Sequence, residues 1–277
     1  MKIAILSGKG GTGKTTVTGN LAINIPKSTV LDTDVEEPNG HLFFNPIIGD
    51  IKNVYTHVPL INMEKCNLCG KCSDFCKYSA LFASSKNIIV FDESCHDCGA
   101  CGLLCDQNAI SFKKREIGKI YSGTYETNKI LYGELNIGEL SGVKIIKELH
   151  SLGNKENILL VDCPPGTSCS TVAAVSDCDF ALIVVEPTPF GVSDMKMVVE
   201  MLDSLNIPYG LFINKSGLGD NEVYHFAQKK NIKILGEIPF NREIAKLYSE
   251  GKLFSKYLPE YRKVFINTFE AMREEIK

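Results

Sequence analysis

The chain has 277 residues, 44% of them hydrophobic, with 30 Lys and Arg against 33 Asp and Glu. That is enough for one large domain, or one domain and a small one, around a sizeable core. A formal charge of −3 lacks the clustered basic footprint of a nucleic-acid binder, and no apolar run reaches the length of a membrane span.

The first residues read as a strand and not as a signal peptide. A cytoplasmic protein without nucleic-acid or membrane partners is expected. The strand, over residues 2–7, leads into a Gly-rich turn and a helix to about Ile25. A second strand, residues 28–31, ends at Asp32. Residues 61–115 break this rhythm and carry eight of the eleven cysteines. From about residue 116 short apolar runs return, with strands expected at 158–161, Phe180–Val185 and 210–213 and helices at 194–205 and 221–230. Continuous apolar strands suit a parallel sheet buried on both faces. Their alternation with helices predicts an α/β fold with a doubly wound, mostly parallel sheet. The expected organisation is a discontinuous nucleotide-binding domain, residues 1–60 and 116–277, with a small α+β domain inserted at 61–115. The last segment, 260–277, has helical periodicity and balanced charges, Arg262, Lys263, Arg273 and Lys277 against Glu260, Glu270, Glu274 and Glu275. That predicts a packed core helix, because a membrane-lying one favours excess Lys and Arg.

Residues 8–15 read Gly-Lys-Gly-Gly-Thr-Gly-Lys-Thr and satisfy G-x-x-x-x-G-K-[ST] between a strand and a helix. In this P-loop pattern backbone N–H groups turn inward around phosphate oxygens, at the positive end of a helix dipole. Gly8, Gly10, Gly11, Thr12, Gly13, Thr15 and Thr16 are therefore candidates for holding ATP or ADP. Lys14 would reach the β- and γ-phosphates, and Thr15 would offer its hydroxyl to Mg²⁺. Asp162, at a strand end, stands where an acid contacts Mg²⁺ through water. Its alternative reading is a turn cap.

The cysteines form an internal repeat. Cys66, Cys69, Cys72 and Cys76 recur as Cys95, Cys98, Cys101 and Cys105, each displaced by 29 residues. The same offset carries Gly70 onto Gly99 and Ala80 onto Ala109. C-x₂-C-x₂-C-x₃-C is the bacterial ferredoxin spacing, in which the fourth cysteine ligates the other cluster. Two [4Fe–4S] clusters are expected, one on Cys66, Cys69, Cys72 and Cys105 and one on Cys95, Cys98, Cys101 and Cys76. Structural zinc uses paired C-x₂-C motifs across a spacer, a poorer match. A proline commonly follows the fourth cysteine, whereas Lys77 and Asp106 stand here.

Lys9 makes the loop a K-G-G-x-G-K-[ST] variant, which resembles the MinD, ParA and Mrp group of ATPases. The resemblance covers essentially the whole chain and extends to MinD/Mrp-type members with an inserted ferredoxin domain. It implies that Lys9 acts in trans within a homodimer sandwiching two ATPs. Asp32-Thr33-Asp34 resembles the group's switch I, with Asp34 the candidate to orient the attacking water and Asp32 a candidate for metal-bound water or a turn cap. Residues 162–167, Asp-Cys-Pro-Pro-Gly-Thr, look like switch II of the Mrp branch. Asn214 matches an adenine-contacting Asn, whose amide can both donate and accept, and Pro239 falls where the group closes the base pocket. Cys169 follows Asp162 at the spacing of a bridging-cluster ligand in the nitrogenase iron protein, with Cys163 as its one neighbour, although small buried hydrophobes are the plainer reading. The C-terminal C-x-x-C of Mrp-type carriers is absent.

Three functions fit these motifs. One is an ATP-gated electron donor to an unnamed redox acceptor. Another is an ATPase that assembles or transfers iron–sulfur clusters for a metallocofactor client. The third, a ParA- or MinD-like positioning ATPase, needs a basic or membrane-binding surface that the sequence does not display. The acceptor or client is not written in the sequence.

Overall fold

The computed structural model describes residues 1–154 and 156–276. Five short strands form the centre of one sheet: β1 (Lys2–Leu6), β2 (Thr29–Asp32), β8 (Leu159–Asp162), β9 (Phe180–Val185) and β10 (Tyr209–Ser216). Their side chains alternate between two cores. Ile3, Ile5, Leu182 and Val184 face one layer, and Ala4, Leu6, Ile183 and Val185 the other. That period of two is what a sheet covered on both faces requires.

Among the described residues the sheet has nine strands in the order β11-β10-β9-β1-β8-β2-β7-β6-β3. The pairs from β11 (Ile234–Pro239) through β7 (Asn128–Leu135) are parallel. At the other edge β3 (Ile47–Ile61) and β6 (Ile110–Tyr125) add antiparallel pairs. The expected doubly wound α/β sheet is therefore present.

Helices α1 (Lys14–Asn24) and α10 (Arg262–Ile276) cover one face, α10 burying Phe265, Phe269 and Met272. The last segment is thus the core helix expected, Lys277 lying outside the described residues. On the other face lie α5 (Val143–Gly153), α6 (Cys169–Val175), α7 (Pro189–Leu205) and α8 (Glu222–Lys230). Helix α7 begins five residues earlier than its apolar pattern suggests. Thr188 caps it, accepting from the Gly191 amide at 3.1 Å, and Pro189 sits in the first turn, where no donor is needed. The short α2 (Gly40–Phe44) follows β2, and α9 (Arg242–Ser249) follows β11. No helix among the described residues is long and apolar enough to cross a membrane.

The cysteines lie between β3 and β6. This stretch holds α3 (Lys71–Phe75), the β4 (Leu81–Ala83) and β5 (Ile88–Val90) hairpin, and α4 (Ala100–Leu103). The long β3–β6 pair runs from the sheet up to it, and the Asn62 amide donates to the Ala109 carbonyl at 2.8 Å at its base.

Candidate functional site

The loop after β1 turns through Gly11 (φ 79°) and Gly13 (φ 90°) before α1. Gly13 must be glycine twice over. Its φ is left-handed, and a Cβ there would lie 2.2 Å from Asn214 Nδ2. Gly8 is fixed by packing, since its Cβ would meet the Asp194 backbone at 2.4 Å.

Beneath this loop a buried lysine meets three acids. Lys14 Nζ lies 2.9 Å from Asp162 Oδ1 and 3.9 Å from Asp34 Oδ2. Burial works against the Lys14 charge, but Asp162, Asp32 and Asp34 together raise its pKa. Burial pushes Asp34 up to about 6, Lys14 opposing and Asp162 adding. Burial likewise raises Asp32 to about 7. Asp32 accepts the Gly40 amide at 2.8 Å and the Asp34 amide at 3.1 Å, so it acts as the turn cap and fixes the start of α2. Asp162 Oδ2 is buried and, among the described residues, has no hydrogen-bond partner; the same holds for Thr12 Oγ1.

The loop opens on a cleft of about 450 Å³, within the size range of small-ligand pockets. Lys9, Gly10, Gly11, Gly13, Lys14, Thr15, Thr16, Asp34, Asn214 and Pro239 all line it. Of the other sequence candidates, Gly8, Thr12 and Asp162 lie behind this wall and not on it. Asn214 donates to the Thr12 carbonyl at 2.8 Å and accepts the Lys215 amide at 3.0 Å, so it braces the loop as well as facing the cleft. Three aromatic rings also line the cleft. Phe43 on α2 and Tyr248 on α9 approach with ring centroids 5.4 Å apart, and Phe240 is the third. Sequence reading missed Phe43 and Tyr248, whose meeting depends on long-range packing and leaves no local signal.

The cysteines divide between two cavities. Cys66, Cys69, Cys72 and Cys105 line one. Cys76, Cys95, Cys98 and Cys101 line the other, with Cys72 on its wall. Among the described residues no three His, Cys, Asp or Glu side chains converge on a single-ion site; the sulfurs ring cavities instead of meeting at a point. The repeat extends to the backbone. Left-handed residues recur at the same offset, Leu68 with Asp97, Gly70 with Gly99 and Ser79 with Asn108. Cys76 Sγ accepts the Ala80 amide and Cys105 Sγ the Ala109 amide, each at 3.3 Å. Burial raises the Cys72, Cys95 and Cys101 thiols above their ordinary pKa.

Of the remaining cysteines, Cys163 and Cys169 stand in opposite surroundings. Cys163 is fully buried, its thiol donating to the Val161 carbonyl at 3.6 Å, and burial pushes its pKa well up. Cys169 is exposed at the start of α6. The second bridging ligand that sequence reading sought in Cys163 is thus sealed inside the core.

Residues 3–254 match the family described as the CobQ/CobB/MinD/ParA nucleotide binding domain, CbiA. Protein MJ0579 of Methanocaldococcus jannaschii is 36% identical over 93% of this chain and 92% of its own length. The iron-sulfur cluster carrier protein of the same organism is 26% identical over 90% of this chain and 76% of its own. The septum site-determining protein MinD of Pyrococcus horikoshii, solved with Mg-ADP, shares the fold at 21% identity and a TM-score of 0.61, covering 98% of this chain and 94% of that one. With its strand–loop–helix and the cleft above it in place, the chain belongs to the CobQ/CobB/MinD/ParA nucleotide-binding domain family.

Proposed function

We propose that the chain is an ATP-hydrolysing iron–sulfur protein whose nucleotide-switched homodimer gates electron transfer from two [4Fe–4S] clusters to a partner protein. The observation that carries this reading is that the eight cysteines of the repeat line two adjoining cavities, with Cys72 on the wall of both, in the same chain as a P-loop cleft.

The residues fit both groups. For Mg²⁺-nucleotide, the cleft offers the Gly-rich loop and Thr15, and behind its wall lies the buried Asp162 Oδ2, without a hydrogen-bond partner among the described residues. A phosphate chain would draw Lys14 from Asp162 and leave that carboxylate to the metal's water shell. Asp34, beside Lys14, would then orient the attacking water, and Lys9 would reach the partner's nucleotide. Asn214 and Pro239 would border the base. For the clusters, the donors are all cysteine sulfur, soft ligands suited to iron–sulfur centres. The interleaved assignment to Cys66, Cys69, Cys72 and Cys105 and to Cys95, Cys98, Cys101 and Cys76 follows the two cavities. The clusters, when bound, would supply one-electron redox chemistry. We read residues 61–115 as the inserted ferredoxin-like domain.

A second reading, assembly or transfer of clusters, is supported by the similarity to the iron-sulfur cluster carrier protein of Methanocaldococcus jannaschii. A transfer protein needs a labile, interface-shared site, and the burial of Cys163 weighs against one beside Cys169.

The test is anaerobic purification with iron and sulfide counting, and electron paramagnetic resonance of the reduced protein with and without Mg-ATP. About eight irons per chain, expected from two four-iron centres, retained after adding an apo-acceptor, is the expected result. Loss of iron to the acceptor would favour transfer, and zinc in place of iron would overturn both readings.

A further inference from the structure

The two halves of the cysteine repeat are not equally connected to the rest of the molecule. At matched positions the first half has Leu68 and the second Asp97, both left-handed. The Asp97 carboxylate accepts from Lys144 Nζ, in the first turn of α5, and lies 3.2 Å from His57 Nδ1 on β3. Two residues before Asp97, the Cys95 thiol lies 3.7 Å from the carbonyl of the same His57. Leu68 has no charge with which to make such a bridge.

Helix α5 is itself joined to the nucleotide-side loop. It packs against α6. At the start of α6 the single Thr171 hydroxyl donor lies between two acceptors, the carbonyls of Pro164 at 3.3 Å and Pro165 at 3.4 Å. Pro165 lines the cleft, and the Gly166 amide donates to the Ser7 carbonyl at 2.9 Å, at the root of the P-loop. A contiguous set of contacts therefore runs from residues 162–168 through α6 and α5 to Asp97 and Cys95.

We propose that Asp97 is a positioning residue that couples the nucleotide cleft to one cluster only, the one on Cys95, Cys98, Cys101 and Cys76. The inference rests on the iron–sulfur reading above. A displacement of α5 moves Lys144, and with it Asp97 and the His57 whose carbonyl lies against the Cys95 sulfur. Hydrogen bonds to cluster sulfurs and nearby charge are the protein's levers on reduction potential. The centre on Cys66, Cys69, Cys72 and Cys105 lacks the bridge and is expected to stay indifferent to nucleotide.

The experiment uses the full-length, anaerobically loaded protein. Redox titration followed by electron paramagnetic resonance is run with and without Mg-ATP on wild type, on Asp97→Leu, which installs the residue of the first half, and on Lys144→Met, which breaks the same bridge from α5. Hydrogen exchange of residues 143–150 gives a second readout independent of activity. In wild type one of the two potentials is expected to shift with Mg-ATP. In both variants the shift should fall at least threefold with iron content unchanged. Should Asp97→Leu lose iron, Lys144→Met, remote from the sulfurs in sequence, decides. Equal shifts of both centres, or a full shift in Lys144→Met, would overturn the coupling while leaving the two-cluster reading intact. Absence of iron from wild type would overturn the reading beneath it as well.

Discussion

At the scale of single residues, the site is a contest for one ammonium group. Lys14 is held by Asp162 and Asp34 in a buried setting, where removing one partner costs more than the pair is worth. Lys9, by contrast, lines the cleft. Lys9→Ala should leave ATP affinity within a few-fold and lower ATP turnover by about 10³-fold, the scale of a cation supplied in trans. Stopped turnover assays with equilibrium binding check this, and loss of ATP-dependent dimers on a sizing column should accompany it. His150 offers a pH test remote from the site. Burial lowers its pKa, Asp177 opposing, and neither ring nitrogen has a hydrogen-bond partner among the described residues. The folded state therefore binds this proton less readily than the unfolded chain. Stability is complete above the ordinary value near 6.5 and falls as pH drops below it, by up to about 1.4 kcal/mol per pH unit until the lower folded pKa is passed. Urea titrations at pH 7.5 and 5.5 should show a smaller acid loss in His150→Leu than in wild type.

At the scale of elements, motifs with fixed spacing were legible and long-range meetings were not. The strand–loop–helix around Gly8 to Thr16 and the register of the cysteine repeat are encoded locally, and both stand as read. The antiparallel strands β3 and β6 escaped because their apolar pattern is interrupted, by Gly49 and Pro59 in one and by Lys113, Lys114 and Arg115 in the other. A strand lying half outside the core loses the apolar signature that reveals it. Also illegible was the tie between α1 and the segment before α10. Asn20 Oδ1 accepts the Ser255 amide at 2.8 Å, and its Nδ2 donates to the Thr16 carbonyl at 2.8 Å. Asn20→Ala would leave the buried Ser255 amide unpaired, a loss of about 1–3 kcal/mol. A lowered midpoint in denaturant with an unchanged slope would confirm it, and no change would show that the tie is dispensable.

At the scale of the whole molecule, the sheet joins two kinds of site. Its parallel centre ends in the P-loop and the acids around Lys14, as open α/β sheets place ligands at the carboxyl ends of their strands. Its antiparallel edge projects as the β3–β6 pair toward the cysteines. The base of that projection has a consequence for engineering. Residues 62–109 leave and re-enter the chain at two neighbouring, hydrogen-bonded positions. In topological terms they are an excursion from the tip of a β-hairpin. Such an excursion can be added or removed with little disturbance to the hairpin's register, because the closing of a longer loop grows only slowly costlier. A shortened chain in which Asn-Gly replaces residues 62–109, a pair that favours two-residue hairpin turns, should still fold and bind Mg-ATP while carrying no iron. The nucleotide cleft and the cysteine repeat would then be separable parts of one chain.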